Sequence, residues 1–258
     1  TTLLYGCAAG KASWSPAKKY SPQQLEKDYS IYQDILEKHH PGLYWYTPKD
    51  SMDHYFERGR QLLKDSMNEA DFRKVLSYVT SKINCGHTSV RSSKVAGGYV
   101  DSSRSFSIFP LSMKLWDDTM VVSATLLRRD SVLKRGDIIT AINGKTSKEI
   151  IDTLFQHIST DGYNKTHKFQ VLSNRGFFGS MYSTLFGLQK NYKIDFIDST
   201  GQAASTVIPA YVPAADSSIR VGLRRQPSTP QPERTREEIR QQRLASVRLL
   251  QIDTANRT

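Results

Sequence analysis

The chain contains 258 residues, with 36 lysines and arginines against 25 acidic residues, which gives a formal net charge of +11. This length is sufficient for one large domain or two of ordinary size, with a sizeable core. A mean hydropathy of −0.50 and the lack of any apolar run near the roughly 20 residues of a membrane helix exclude a bundle of membrane spans. Because Cys7 and Cys85 are its two cysteines, the chain can form neither a disulfide framework nor a cysteine-rich metal site.

Much of the excess positive charge lies late in the chain. A sequence pI near 9.6 first suggests nucleic-acid binding. Residues 217–246, however, mix arginines with prolines and glutamates, which is typical of a solvated linker. The sequence has no zinc-knuckle spacing, no aromatic RNA-stacking motif and no helix-turn-helix pattern. We therefore predict no nucleic-acid partner, and binding through this linker is the weakest of the alternatives.

The N-terminal residues suggest an export signal. Residues 3–7 read Leu-Leu-Tyr-Gly-Cys. A leucine, a small residue and then a cysteine resembles a bacterial lipoprotein cleavage box, in which the cysteine becomes the lipidated first residue. We expect residues 1–20 to be a signal remnant and tether, with Cys7 lipidated and the protein anchored to a membrane in the bacterial periplasm or cell envelope. The alternative is a disordered N-terminal tail.

Residues 21–95 carry the pattern of a helical subdomain. Ser21 is a typical N-cap residue, and it opens a helix that Pro41-Gly42 ends. A second helix is predicted from about Pro48 to Lys64, and a third begins at Asn68. Apolar residues at helical spacing predict a small common core. They are Leu25, Tyr29, Tyr32, Ile35 and Leu36 in the first helix, Met52, Tyr55, Phe56, Leu62 and Leu63 in the second, and Phe72, Val75, Leu76, Val79 and Ile83 in the third.

A Gly-His pair follows the third helix, in the run Cys85-Gly86-His87-Thr88. Glycine lets the backbone turn sharply at a helix-to-strand corner, and histidine is the side chain best suited to proton transfer near neutral pH. His87 is therefore the candidate catalytic residue; the alternative is a polar residue at an element boundary. Cys85 could pair with His87 as a nucleophile, but no orienting third group is visible. The two side chains also lack the further ligands that zinc needs, so we predict no metal and no cofactor.

The next region has strand patterns. Two strands are predicted at Phe109–Trp116 and Met120–Thr125, joined by a hairpin turn at 117–119. Leu133-Lys134-Arg135-Gly136-Asp137-Ile138-Ile139 then leads to Asn143-Gly144, a strong signal for a type I′ turn. Thr146 and Glu149 form a capping box for a following helix. A further strand is predicted at Lys168–Leu172.

The run from Leu133 to Gly144, followed by a helix, resembles the signature of a PDZ domain. The resemblance implies that residues 104–173 bind an extended peptide, added as a strand between a sheet edge and the helix. The alternative is an ordinary hairpin and helix within a larger α/β domain. Residues 174–216 are predicted to be a connecting segment with a β-hairpin around Ser199–Gln202. The basic linker at 217–246 is then expected to lead to a first strand of a further domain at 247–258. The predicted fold class is α+β.

The order of these parts resembles the tail-specific, or C-terminal-processing, serine peptidases, in the branch related to the tricorn protease core. Cys85-Gly86-His87-Thr88 and Leu133–Gly144 carry the resemblance, and residues 39–44 are similar to the family's early helix terminus. It implies that His87 is the general base for a serine on a catalytic domain expected to follow residue 258, and that polypeptide tails are the substrates.

The resemblance leaves the nucleophile outside this chain. Ser89 and Ser180 lack the glycines that surround a nucleophile elbow, so this chain alone is expected to be inactive. The family's other branch uses a Ser-Lys pair, which stays open for the expected domain. A second interpretation is a non-catalytic peptide-binding module of the cell envelope, in which His87 is structural.

Overall fold

The computed structural model describes residues 14–98, 107–127 and 132–213, together with residue 237. The described residues up to 213 belong to one compact unit. Cys7, the strand predicted at 247–258 and the basic linker, apart from residue 237, lie outside the described residues. Helices come first and an antiparallel sheet follows, which confirms the predicted α+β class. None of the described helices is both long and apolar enough to cross a bilayer.

Residues 14–98, the helical half, contain the three predicted helices and two short strands. Ser21 and Gln24 form a reciprocal capping box at the start of the first helix, and Asn68 caps the third by accepting from the Asp71 amide. Part of the expected tether is ordered, because the strand before the first helix pairs with the strand before the third. The elements are β1 (Lys19–Tyr20), α1 (Pro22–His39), α2 (Lys49–Gln61), β2 (Met67–Asn68), α3 (Glu69–Ser81) and α4 (Lys94–Gly98).

Most residues of the predicted apolar stripes of α1, α2 and α3 meet in one core, whereas Ile35 and Leu62 are exposed, at 52% and 43%. Tyr29 is fully buried at its centre, and its hydroxyl donates to the Phe56 carbonyl at 2.8 Å. Gly59 makes this close approach possible, because a Cβ there would overlap the Tyr29 hydroxyl and Val79. The buried members are Leu25, Tyr29, Leu36, Leu43, Met52, Phe56, Leu63, Val75, Val79 and Ile83.

Residues 107–213, the sheet half, form an antiparallel sheet of strand order β3-β4-β5-β7-β8, with the short β6 paired to β5. Asn143 and Gly144 both have positive φ in the two-residue turn between β5 and β6, as the type I′ signal predicted. Ile108, just before β3, and Tyr211, just after β8, form a β-bridge that links the two edge strands of the sheet. The strands are β3 (Leu111–Trp116), β4 (Thr119–Thr125), β5 (Ile138–Ile142), β6 (Lys145–Thr146), β7 (Asn191–Ile197) and β8 (Ala203–Pro209).

Three helices pack on this sheet, and two of them correct the sequence interpretation. The strand predicted at Lys168–Leu172 belongs to a helix, because Asn164 caps the segment by accepting from the Thr166 amide and Leu172 is buried against the sheet. The segment after 174, predicted as a connection, also forms a helix, whose Phe178 and Tyr182 pack on Phe109. The helices are α5 (Ser147–Phe155), α6 (Lys165–Leu172) and α7 (Phe177–Phe186).

The β7-β8 hairpin joins the same sheet as β3, β4 and β5. Strand β7 pairs with β5 from Ile138↔Ile197 to Ile142↔Ile194, and both strands contribute to one hydrophobic core. A pairing between segments more than 50 residues apart has no local sequence signal.

Candidate functional site

The corner, residues 84–88, is shaped by two residues before His87. Asn84 has a φ of 57° and makes the sharp turn that the sequence had attributed to Gly86. Gly86 has a different role, because a Cβ there would lie 3.2 Å from the Asp161 carboxylate. The chain after the corner continues as irregular structure up to residue 93. His87 ends this turn with its side chain 89% exposed, at the surface and not in the apolar interior.

A loop of the sheet half places Asp161 beside His87. The Ser81 hydroxyl donates to the Gln156 carbonyl at 2.6 Å, and the Gly162 amide donates to the Asn84 carbonyl at 2.9 Å. Between these two points the Gly86 amide donates to Asp161 Oδ1 at 2.7 Å. Three hydrogen bonds thus join the segment after α5 to the C-terminal end of α3 and to the corner that follows it.

Asp161 approaches one nitrogen of the His87 ring. The distance from Asp161 Oδ1 to His87 Nδ1 is 3.6 Å, longer than a hydrogen bond but within ion-pair range when the ring is protonated. The carboxylate lies nearer to Nδ1 than to Nε2, so Nε2 is the ring nitrogen left for another partner. A carboxylate in this place biases the orientation of the ring.

Cys85 is joined to the end of α1 by a directed chain of hydrogen bonds. The Gly42 amide donates to His40 Nδ1 at 3.2 Å, which makes Nδ1 the acceptor nitrogen of that ring. His40 Nε2 therefore carries the proton and donates to the Thr88 hydroxyl at 2.9 Å. The Thr88 hydroxyl in turn donates to Cys85 Sγ at 3.5 Å. His40 thus orients the corner instead of only complementing the helix dipole.

An open cleft of about 460 Å³ borders the corner. Its wall is mainly apolar and comes from the end of α1 and the aromatic run that follows. Trp45 is 77% exposed and Tyr46 41%, an unusual degree of exposure for large aromatic side chains. The lining residues are Ile35, Leu36, His39, His40, Pro41, Gly42, Trp45, Tyr46, Cys85, His87, Thr88 and Asp161.

A second cavity, of about 380 Å³, lies at the contact of the two halves and is lined by Gly86 and Ser89 of the helical half and by His157 of the sheet half. A third cavity, of about 410 Å³, lies within the sheet half. We call it the β3–α7 groove, because it runs between the start of β3 and α7. Ser180 and Thr184 line both cavities, so the two are adjacent.

His157 contrasts with His87 in its surroundings. Its ring lies 6.0 Å from the Tyr78 ring, and its Nδ1 has no hydrogen-bond partner among the described residues. Burial lowers the pKa of His157 to about 4, with Lys82 and Lys74 adding a smaller effect of the same sign. This histidine is therefore neutral near neutral pH and cannot serve there as a proton donor.

The structure brings together residues that the sequence had left apart. Cys85, His87 and Asp161 each have a metal-ligand atom within 4.8 Å of the others. Asp161 was missed as a site residue: Asp161-Gly162 was recognised only as a turn, and 75 positions separate Asp161 from Gly86. Ser89 and Ser180 both line the second cavity, and no hydroxyl group among the described residues hydrogen-bonds to His87.

No family model matches the chain, and no curated protein matches it. Among solved structures the chain is similar to mature CPAF, with 14% identity over 74% of this chain and 35% of that one at a TM-score of 0.46. It is also similar to mature CPAF complexed with lactacystin, at 12% identity, 74% and 35% coverage and a TM-score of 0.47. A photosystem II D1 C-terminal processing protease matches at 11% identity, with 74% and 44% coverage and a TM-score of 0.25.

The match to this chain covers 35% of the mature CPAF chain and 44% of the D1 C-terminal processing protease chain. With identities of 11–14% and TM-scores below 0.5, the activity of this chain has to be argued from its own residues.

Proposed function

We propose that this chain is the N-terminal and peptide-binding part of a serine endopeptidase that binds polypeptide C-terminal tails and cleaves them. His87 is the general base for a serine on a domain that follows in the whole protein. The observation that carries the proposal is the placement of His87 on the rim of an open cleft, with the Asp161 carboxylate 3.6 Å from its Nδ1.

The chemistry of acyl transfer explains why this arrangement is useful. A serine hydroxyl is a weak nucleophile until a base lies within about 2.6–3.2 Å of it. A carboxylate on the far side of the imidazole stabilises the imidazolium that forms when the ring takes the proton. Asp161 supplies this charge at Nδ1, and Nε2 is left to receive the serine proton. The exposure of His87 supports a site that is completed when a second surface covers the corner.

The β3–α7 groove is our candidate for the PDZ-like peptide site, although it lies beside α7 and not beside α5, the helix that the PDZ resemblance implies. Hydrogen bonds occupy this edge of the sheet at two points: Ile108, just before β3, pairs with Tyr211, and the Leu115 amide donates to Ser173 Oγ at 2.9 Å. Between these points the groove of about 410 Å³ offers an apolar floor that includes Phe109 and Leu111. A peptide strand laid there would be held by main-chain hydrogen bonds, with its side chains in the groove.

Arg175 lies at this groove, next to the start of α7. A guanidinium group there suits the carboxylate of a polypeptide C-terminus. The second cavity then offers a route from the groove past Ser180 toward Gly86, beside His87. A tail that is bound in the groove would thus present an upstream peptide bond to the corner.

The decisive experiment uses the full-length protein. We expect His87→Ala to abolish peptidase activity on unstructured polypeptides while the thermal midpoint is unchanged, because the side chain is exposed. His54→Ala, which replaces another exposed histidine, is the matched control and should retain activity. Turnover by the His87→Ala protein at the wild-type rate would refute the assignment, and hydrolysis by the isolated 258-residue chain would show that the nucleophile lies within it.

A non-catalytic peptide-binding module is the second candidate, and the β3–α7 groove is the observation that favours it. Both candidates predict that fluorescent peptides with a free C-terminal carboxylate bind the chain, and that Arg175→Ala weakens this binding by about tenfold. Peptides with an amidated C-terminus serve as the control. Peptide binding together with a full-length protein that is catalytically inert would select the binding module.

We also propose that the whole protein is a lipoprotein of the bacterial periplasm or cell envelope. The support is the Leu-Leu-Tyr-Gly-Cys run at residues 3–7. Metabolic labelling of the full-length precursor with a fatty-acid analogue should mark the protein, and Cys7→Ser should remove the label. An unlabelled wild-type protein would contradict lipidation at Cys7.

A further inference from the structure

We propose that Cys85, His87 and Asp161 bind a divalent transition-metal ion, Zn²⁺ in particular, and that the bound ion occupies the catalytic imidazole. The inference combines two observations: these three side chains offer the kinds of ligand atom that zinc prefers, and the fold places them together although Asp161 comes from a distant segment. Metal binding is independent of the proposed function, whereas its inhibitory effect rests on that function.

The distances fit a zinc site after small side-chain rotations. With Zn–N and Zn–O bonds of about 2.0 Å and Zn–S bonds of about 2.3 Å, the donor atoms of a tetrahedral site lie about 3.3–3.6 Å apart. His87 Nδ1 and Asp161 Oδ1 are already 3.6 Å apart, and all three ligand atoms lie within 4.8 Å of one another. His87 and Asp161 are largely exposed, so either side chain can close the remaining distance of about 1 Å at little cost in packing.

The chemistry of the ligands selects the metal. A thiolate and an imidazole favour Zn²⁺ over the harder ions Mg²⁺ and Ca²⁺, which require oxygen ligands. Three protein ligands leave one position of a tetrahedral site open, and all three of these residues line the cleft of about 460 Å³. A water molecule, or a donor atom of a bound peptide, could fill that fourth position.

The groups around the three ligands already hold two of them in place. The Gly86 amide fixes Asp161 Oδ1 at 2.7 Å and leaves the second carboxylate oxygen available. The Thr88 hydroxyl donates to Cys85 Sγ, and the same hydroxyl accepts a hydrogen bond from His40 Nε2. Hydrogen bonds of this kind orient metal ligands and tune their affinity. Glycine at position 86 leaves room for the carboxylate in its present place, since a Cβ there would lie 3.2 Å from the Asp161 carboxylate.

Occupation of the site would remove His87 from catalysis. The metal would bind the lone pair of Nδ1 in the neutral ring, so the ring proton would stay on Nε2, which could then no longer accept the proton of a serine hydroxyl in the covering domain. Because the ligands bind in their deprotonated forms, metal binding releases protons and weakens as the pH falls. We therefore expect the metal to act as a reversible inhibitor that competes with closure of the active site.

The binding test uses the complete 258-residue chain without an affinity tag. Co²⁺ is the spectroscopic probe, because a thiolate ligand gives it a near-ultraviolet charge-transfer band that Zn²⁺ then removes by displacement. We expect Cys85→Ser to abolish this band, and His87→Ala and Asp161→Asn each to weaken Zn²⁺ binding at least tenfold in calorimetric titrations. Thr88→Val, which removes the hydrogen bond to sulfur together with the hydrogen bond from His40, should weaken it by about tenfold.

Two matched substitutions serve as controls. Cys7→Ser and His54→Ala remove the second cysteine and a histidine outside the cluster, and neither should change the Co²⁺ band or the Zn²⁺ affinity. Circular dichroism checks that every variant is folded. A wild-type chain without a thiolate band, or Zn²⁺ affinity that Asp161→Asn and His87→Ala leave unchanged, would overturn the proposed site.

Failure of this inference can be distinguished from failure of the proposed function. A thiolate-dependent Co²⁺ band together with an inert full-length protein would support the metal site and reject the peptidase. A His87-dependent peptidase without metal binding would do the reverse. If both proposals hold, Zn²⁺ should lower full-length peptidase activity at least tenfold and a chelator should restore it, whereas Mg²⁺ at the same concentration should have no effect.

Discussion

Each half contributes a histidine whose ring lies beside a residue of the other half, and the two rings differ in how far they are exposed to solvent. His87 of the helical half lies 89% exposed beside Asp161. His157 of the sheet half is largely buried against Tyr78, and burial lowers its pKa to about 4. The same residue type thus supports the packing of the contact at one place and is available for chemistry at the other. The two histidines therefore differ in their exposure to solvent and not in residue type.

Substitution in the core should have the largest effect on stability. Phe56 is 2% exposed, and Phe56→Ala leaves a cavity in the helical core; we expect a loss of about 3–5 kcal/mol in the free energy of unfolding. Trp45→Ala removes a larger side chain that is 77% exposed, so its cost should stay below about 0.5 kcal/mol. Urea denaturation measures both. Equal costs would show that the rim of the cleft is as tightly packed as the core.

The buried histidine should make stability depend on pH. The pKa of His157 in the folded protein is about 4, below its ordinary value of 6.5. The unfolded chain therefore binds the extra proton first, so stability is complete above pH 6.5 and is lost as the pH falls toward 4. We expect a loss of about 2 kcal/mol, since the ring retains some access to water.

Denaturant titrations at several pH values measure this dependence. His157→Phe should flatten the profile between pH 6.5 and 4, and His54→Phe, at an exposed position, should leave it unchanged. A His157→Phe protein that keeps the wild-type pH profile would mean that another group causes the acid sensitivity.

The hydrogen bonds between the halves should contribute less. Ser81→Ala removes the donor to the Gln156 carbonyl at 2.6 Å, next to the loop that carries Asp161. We expect a cost of about 1 kcal/mol and a loss of Zn²⁺ affinity, because Asp161 is less firmly placed. Ser30→Ala, at an exposed serine of α1, is the control. An unchanged affinity would show that the Asp161 loop is held by its other contacts alone.

The smallest change with a measurable consequence concerns Gly86. A Cβ at this position lies 3.2 Å from the Asp161 carboxylate, a distance that the exposed carboxylate can relieve by moving. Gly86→Ala should therefore cost less than about 1 kcal/mol in stability and still weaken Zn²⁺ binding. A variant that is strongly destabilised would indicate instead that Gly86 is needed for the turn itself.

Local signals predicted much of the fold, because they depend on neighbouring residues. The N-cap at Ser21, the capping box at Thr146 and the turn at Asn143-Gly144 are predicted from adjacent positions, and the structure contains each of them. Segments without such a signal were misread. The segment at 168–172 has no clear helical stripe, and only its cap at Asn164 and its packing on the sheet make it a helix.

The sequence by itself determined His87, the two cysteines, most of the helical core positions and the run from Leu133 to Gly144, since each depends on residue type and short spacing. The tertiary structure alone decided that Asp161 faces His87 and that the β7-β8 hairpin shares the sheet of β5. Hydrogen bonds such as that from Gly86 to Asp161 join segments about 75 residues apart. Contacts at that separation arise from the packing of whole elements, and no local pattern encodes them.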